Sequence, residues 1–191
     1  MLKIGTHDSA TGEKPIWWSS LLTPFARTQG KTIREQFDAG CRLFDLRTKK
    51  VFGVWRGAHG WWYTKKSMTD ILSELNELSV GNNKLCVHLT FEGKTKNSKE
   101  FIEVVKIWKE KYSNIIWGSI SSKYGESSKG IIVKYDVLID GDPGSYGGKQ
   151  GFLPLDGKHW QTYIPIPWLW KKIYYNHPEF SEDYYTFVDF L

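Results

Sequence analysis

Short apolar runs alternate with helical segments along most of the chain, and that order leaves few architectures open. The runs that read as strands are Met1–Thr6, Cys41–Leu46, Phe52–Trp55, Lys84–Phe91, Gly130–Val137, His159–Ile166 and Tyr185–Leu191. Thr32-Ile33-Arg34-Glu35 is a capping box and Gly40 a C′ residue, which predicts a short helix over Ile33–Ala39. Ser67 and Asp70 cap a second helix, whose apolar positions Met68, Ile71, Leu72, Leu75 and Leu78 keep the 3.6 period. Ser98 opens a third, with Phe101, Val104, Val105 and Trp108 on one face. The segment from Pro15 through Trp17, Trp18 and Pro24 reads as a loop, as does Gly-rich Asp140–Gly151. Strands that alternate with helices form a parallel sheet with crossover helices. A full barrel of eight such units takes about 250 residues, and this chain has 191. The expected fold is α/β: one domain over residues 1–191, a TIM-like (β/α) barrel, trimmed and irregular, with loops replacing some helices.

Composition narrows the partners. Hydrophobic residues are 40% and charged residues 25%, which excludes a disordered chain. A net charge of +5 suits anionic partners such as phosphates or acidic lipid headgroups. No basic arm and no zinc-knuckle spacing is present, so nucleic acid is not an expected partner. No apolar run approaches the roughly 18–20 residues of a transmembrane helix. No signal peptide follows Met1, so the chain as written is expected to start inside the cell. A secreted protein whose signal had been removed would show the same sequence. Cys41 and Cys86 sit in strand-like apolar runs and are expected as buried small hydrophobes. A monomer is expected.

Polar residues gather where the strands end. His7 and Asp8 end the first, Asp45 and Arg47 the second, His59 follows the third, Glu92 ends the fourth, and Asp189 lies in the last. In a parallel barrel those ends converge on one face. Two His, an Arg and carboxylates in one pocket suit phosphoryl transfer. One imidazole takes a proton from the nucleophile, the other gives one to the leaving oxygen, and Arg clamps the charged oxygens. Local readings compete: Asp45 can pair with Arg47, and Asp189 can be a satisfied strand carboxylate.

The order of these residues resembles a known family. Gly5-Thr6-His7-Asp8-Ser9-Ala10-Thr11, Thr28-Gln29, the run from Ile33 to Asp45-Leu46-Arg47, and His59-Gly60 are similar to the X region of phosphatidylinositol-specific phospholipases C. The likeness is close over residues 4–60 and continues more weakly to Phe187-Val188-Asp189-Phe190. Calcium-dependent members carry an acidic residue where Arg47 stands, so Arg47 and Asp8 resemble the bacterial, metal-independent branch. The resemblance implies a phosphoric diester hydrolase or lyase with no cofactor and no metal. It cleaves phosphatidylinositol, or a glycosyl-phosphatidylinositol anchor, to diacylglycerol and inositol 1,2-cyclic phosphate. By that likeness His7 is the general base, oriented by Asp189. His59 is the general acid, assisted by Asp8. Arg47 binds the phosphoryl oxygens and Asp45 orients nearby groups. Substrate contacts fall to Thr90, where bacterial relatives carry Lys, to Glu92, and to Lys134 on Gly130–Val137.

The aromatic fraction of 16%, with ten Trp, fits this reading. Trp17, Trp18, Trp61, Trp62 and Tyr63 follow the two His loops, and Trp168, Trp170, Lys171 and Lys172 lie near the end. Trp and Tyr favour the bilayer interface, so the expected partner is phospholipid at a membrane surface, met peripherally. Core packing is the competing explanation. Two other functions stay open: a metal-dependent glycerophosphodiester phosphodiesterase, and a non-catalytic lipid-headgroup module.

Overall fold

The computed structural model describes residues 4–92, 98–122 and 186–188. Its elements are β1 (Ile4–Thr6), α1 (Thr23–Ala26), α2 (Ile33–Asp38), β2 (Cys41–Val51), β3 (Val54–His59), β4 (Trp62–Ser67), α3 (Met68–Leu78), β5 (Cys86–Phe91), α4 (Ser98–Lys111), β6 (Ile116–Ser122) and β7 (Thr186–Val188). Two 3₁₀ segments, Ser9–Gly12 and Trp17–Leu22, replace much of the loop expected after β1.

The fold is mixed α/β around one sheet organised on β2. Parallel β1 pairs with residues from Cys41 to Phe44, and parallel β7 flanks β1. Parallel β5 pairs with Leu43–Thr48 and carries β6. Antiparallel β3 pairs with Thr48–Val51 and carries β4. Thr48 pairs with Gly57 of β3 and with Phe91 of β5. β3 therefore lies on the same edge of β2 as β1, further along the strand. The two approach head to head, and among the described residues no strand pairs with Asp45–Arg47 on that edge. This gap is where the site forms.

The expectation of an all-parallel barrel is corrected here. No helix separates β2 from β3. Phe52 and Gly53 both have positive φ, 48° and 79°. That is the left-handed pair of a two-residue hairpin, which is too short for a crossover. Phe52 is thus a turn residue, not the start of a strand. β4 and β6 were not foreseen, and among the described residues the sheet does not close. Gly130–Val137 and His159–Ile166 lie outside the described residues.

The helices formed where the sequence marked them. Thr32 and Glu35 cap α2 reciprocally, and Ser67 and Asp70 cap α3. The apolar core lies between the helices and one face of the sheet. Phe44, Leu46, Val87, Leu89 and Phe91 meet Ile71, Leu72 and Leu75 of α3 and Phe101, Val105 and Trp108 of α4. Phe91 stacks on Phe101 at 4.9 Å, and Trp55 lies 5.8–6.1 Å from Phe91, Phe101 and Trp108. Part of the aromatic excess is therefore core. Because strand side chains alternate, the opposite face receives Asp45 and Arg47 from β2, His88 and Thr90 from β5, and then Glu92. Cys41 and Cys86 are buried and unbridged, and burial pushes both thiols up to about 12.

Candidate active site

β1 ends at Thr6 and delivers His7 and Asp8 into the gap beside β2. Asp8 adopts a left-handed backbone, φ 46° and ψ 45°, which Asp tolerates better than most side chains. The turn is held from several sides. Thr11 donates its N–H and its hydroxyl to the Asp8 carbonyl, each at 2.8 Å. The His7 carbonyl accepts from Thr28 Oγ1 at 3.1 Å and from Gln29 Nε2 at 2.9 Å. That explains the Thr28-Gln29 pair physically. Gln36 of α2 donates to the Ser9 carbonyl at 2.9 Å. The third contribution is His59, the last residue of β3.

Asp8 is the hub, and only 2% of its surface is exposed. Its Oδ1 forms an ion pair with Arg47 Nε. Its Oδ2 lies 3.5 Å from His7 Nε2 and 3.4 Å from His59 Nε2. Its backbone N–H donates to Asp45 Oδ2 at 3.2 Å. Arg47 reaches three groups at once: Asp8, His7 Nε2 at 2.8 Å from Nη2, and Glu92 Oε1 at 3.5 Å from Nη1. Glu92 Oε2 also accepts the Gly60 N–H at 2.8 Å. It thereby fastens the turn after His59 to the end of β5. Gly60 has φ 63°, a left-handed value that suits Gly.

The hydrogen bonds assign protonation. A guanidinium has donors and no acceptor. His7 Nε2 must therefore present its lone pair to Arg47, which leaves the ring neutral with its proton on Nδ1. Burial lowers the pKa of His59, with Asp8 opposing and Arg47 reinforcing that shift. Burial raises the Asp8 carboxyl, and His7, Arg47 and His59 pull it back. Burial also works against the charged form of Arg47. Asp8, Asp45 and Glu92 outweigh that, so its pKa is raised and it stays cationic. The site therefore holds a neutral imidazole whose Nε2 lone pair faces the Arg47 guanidinium, a second imidazole beside a carboxylate, and a fixed positive charge next to both His7 and Asp8.

His7, Asp8, Asp45, Arg47, His59 and Glu92 thus come together. Thr90 stands beside Arg47 in the β2–β5 register. Asp189 and Lys134 lie outside the described residues, as does Trp168–Tyr175. Ligand atoms of His7, Asp8 and Asp45 fall within 4.8 Å of one another, close enough for a cation. The Arg47 guanidinium already contacts two of these residues, so a metal there would meet a fixed like charge. His59 does not arrive from a parallel strand end as expected, but from the antiparallel β3. His88, which the sequence reading passed over, lies on the same inner face. Its signal was the two-residue spacing from Thr90 and Glu92.

The tryptophans divide. Trp62 is buried to 1% and donates from Nε1 to Thr23 Oγ1 at 3.1 Å. Trp18 packs edge-on against Tyr63 at 5.4 Å. Trp17 and Trp61 are 85% and 75% exposed. Trp17, Leu21 and Phe25, all in the Trp17–Ala26 segment, are exposed. That segment is bound to β4 through Ile16 N–H and Ser19 Oγ, which donate to the Tyr63 carbonyl at 3.0 and 3.2 Å. A group of exposed apolar side chains therefore lies on the segment bonded to β4, beside the turn that carries Gly60 and exposed Trp61.

No protein-family model matches the chain. It is 26% identical over 97 residues, 51% of its length, to the 1-phosphatidylinositol phosphodiesterase of Listeria monocytogenes. The match spans 29% of that relative. Among solved structures, a pentafluoro-Phe form of the Staphylococcus aureus phosphatidylinositol-specific phospholipase C has a TM-score of 0.50 at 19% identity. It covers 64% of this chain and 47% of that one. The Listeria monocytogenes phosphatidylinositol-specific phospholipase C gives 0.47 at 17%, over 64% and 51%. The chain thus spans about half the length of these solved proteins. The chain is thus similar, over about half its length in sequence and 64% of it in fold, to bacterial phosphatidylinositol-specific phospholipases C.

Proposed function

We propose that this protein cleaves the phosphodiester of phosphatidylinositol, or of a glycosyl-phosphatidylinositol anchor, on a trimmed (β/α) barrel. The observation that carries the reading is the buried Asp8 carboxylate joining two imidazoles and the Arg47 guanidinium in the gap between β1 and β3. His7 Nε2 takes the proton from the inositol 2-hydroxyl, and that oxygen attacks the phosphorus. The neighbouring hydroxyl acts at high effective concentration, so the first product is inositol 1,2-cyclic phosphate. His59 protonates the diacylglycerol oxygen as it leaves, and Asp8 supports the imidazolium. Arg47 stabilises the charge that develops on the phosphoryl oxygens. Glu92 and Thr90 border the substrate, with Lys134 as a further contact, and Asp189 orients His7.

Phosphorus NMR of the products formed in chelator tests the whole reading. A cyclic phosphate signal is expected. Turnover only with added divalent metal would favour the glycerophosphodiester phosphodiesterase reading, for which His7, Asp8 and Asp45 are the nearest ligand set. Binding without turnover would favour the headgroup module.

The pH dependence follows from His59. As general acid it must carry a proton, and that form is lost as pH rises through its pKa. Burial lowers that pKa, so the alkaline limb of kcat/KM should fall below the ordinary imidazole value of about 6.5. An anionic phosphodiester in the pocket favours the imidazolium, so the alkaline limb of kcat should lie higher. Both limbs belong to the coupled His7–Asp8–His59 set. Coincident limbs at or above the ordinary value would remove His59 as the acid.

Membrane contact follows from the exposed apolar side chains Trp17, Leu21, Phe25 and Trp61. Replacing Trp17 and Trp61 together with Ala should weaken partitioning to phosphatidylinositol vesicles by about tenfold or more, from the apolar area they would bury. Cleavage of a water-soluble headgroup ester should change little. Trp62→Ala should instead cost about 3–5 kcal/mol of stability. Vesicle sedimentation and thermal melts separate the two. Unchanged partitioning in the double variant would refute a membrane role for these side chains.

A further inference from the structure

One ionisable side chain on the inner face of the sheet has no part in the chemistry above. His88 is buried on β5, where Val87 and Leu89 point instead into the apolar core. It pairs in register with Asp45 on the parallel neighbour β2, and paired residues of a parallel ladder share a face. Behind it stands Gly118 of β6. A Cβ there would lie 2.5 Å from His88 Cδ2, 2.8 Å from Nε2 and 3.1 Å from Cys86 Sγ. The imidazole occupies space that exists because residue 118 has no side chain. Burial lowers its pKa against the pull of Asp45, so the ring is held neutral. Among the described residues, the ionisable groups that share this face by strand alternation and register include Arg47 and Lys49 on β2, Arg56 on β3 and, along β5, Cys86 and then Glu92.

Asp45 links this imidazole to the reacting groups. Its Oδ2 accepts the Asp8 N–H at 3.2 Å, and Asp8 in turn meets Arg47, His7 and His59. A line of neighbours therefore runs from Gly118 through His88 to its register partner Asp45 and on to Asp8. We propose that His88 is a positioning residue, a polar floor that orients the Asp45 carboxylate and through it fixes the Asp8 turn between the two imidazoles. The proposal rests on the phosphodiester-cleaving reading for its kinetic consequence. The placement of Asp8 it describes exists without substrate.

The experiment compares His88→Leu, His88→Gln and Gly118→Ala with wild type. Loss of the floor should lower kcat on phosphatidylinositol by about ten- to a hundredfold, the scale of a misplaced catalytic group. KM should stay within about twofold, since no substrate contact is removed. His88→Gln keeps a donor and an acceptor and should recover most of the loss, whereas Gly118→Ala displaces the ring and should reproduce it. The second readout needs no turnover. In ligand-free protein, proton–carbon NMR should show the ring resonances of His7 and His59 shifted in His88→Leu and near wild type in His88→Gln. Unmoved His7 and His59 resonances would overturn the proposal. So would a loss of kcat that merely tracks the folded fraction, or a His88→Gln as impaired as His88→Leu. If wild type does not turn over phosphatidylinositol, the functional reading fails while the NMR comparison still decides the role of His88. Should His88→Leu fail to fold, His88→Gln and Gly118→Ala carry both comparisons.

Discussion

Arg47→Asp should abolish metal-free turnover, by about a hundred- to a thousandfold or more, the scale of losing an oxyanion donor. The guanidinium meets Asp8, His7 and Glu92 through separate nitrogens, and no other side chain offers that fork. Asp in its place removes the positive charge and sets a new carboxylate beside a buried one. Like charges at such a distance cannot both ionise without cost. Breaking a buried pair costs about 3–5 kcal/mol in stability, so turnover must be compared at equal folded fraction. Arg47→Lys separates charge from geometry. It keeps the charge, loses the fork, and should still forfeit most of the rate. Calcium titrated into Arg47→Asp is a further probe, since Asp45, Glu92 and the new carboxylate supply oxygen ligands that a hard cation prefers. Full activity of Arg47→Asp in chelator would reduce Arg47 to an ion-pair partner of Asp8, and the metal-independent reading would fall with it.

The legible parts of this fold were those written in local chemistry. Capping boxes at Thr32 and Ser67 marked helix starts, because a side-chain oxygen satisfies an amide the helix leaves free. The apolar periods of α3 and α4 marked the faces that meet the sheet. The site residues were legible as an ordered set, because His7, Asp45, Arg47 and His59 stand at the ends or edges of apolar runs. Their mutual geometry was not. It depends on β2 outrunning β1 so that β3 can return along the same edge, and that follows from the two left-handed residues at Phe52-Gly53. A bulky aromatic in a left-handed turn is uncommon, and here the residue before the Gly gave no turn signal. The tryptophans were ambiguous for a different reason. Trp61 ends the turn and is exposed while the adjacent Trp62 opens β4 and is buried, so composition could not say which enters the core. Trp55 joined the core because α4 supplied Phe101 and Trp108, a pairing set by long-range packing. His88 was missed because an apolar strand with one imidazole reads as core unless its spacing from Thr90 and Glu92 is followed.

His7→Ala and His59→Ala should each lower turnover by about a hundredfold or more, the usual contribution of a positioned acid or base. Their losses should not multiply. Both imidazoles act on one proton circuit through Asp8, so the double variant should fall only modestly below the worse single one. The two roles separate by the leaving group. A substrate whose leaving group is already a weak base needs no proton from an acid, so the His59→Ala deficit should shrink on it. The His7→Ala deficit should persist, since the attacking hydroxyl still has to lose its proton. The geometry supports this division: His7 Nε2 faces the Arg47 donor and must offer a lone pair, while His59 Nε2 stands 3.4 Å from a carboxylate oxygen that can hold its proton. Steady-state rates on phosphatidylinositol and on an activated aryl ester of inositol phosphate measure both deficits. A deficit that shrinks for His7→Ala and persists for His59→Ala would exchange the two roles. Equal deficits on both substrates would mean that neither imidazole acts on the leaving oxygen, and the acid would have to be sought elsewhere.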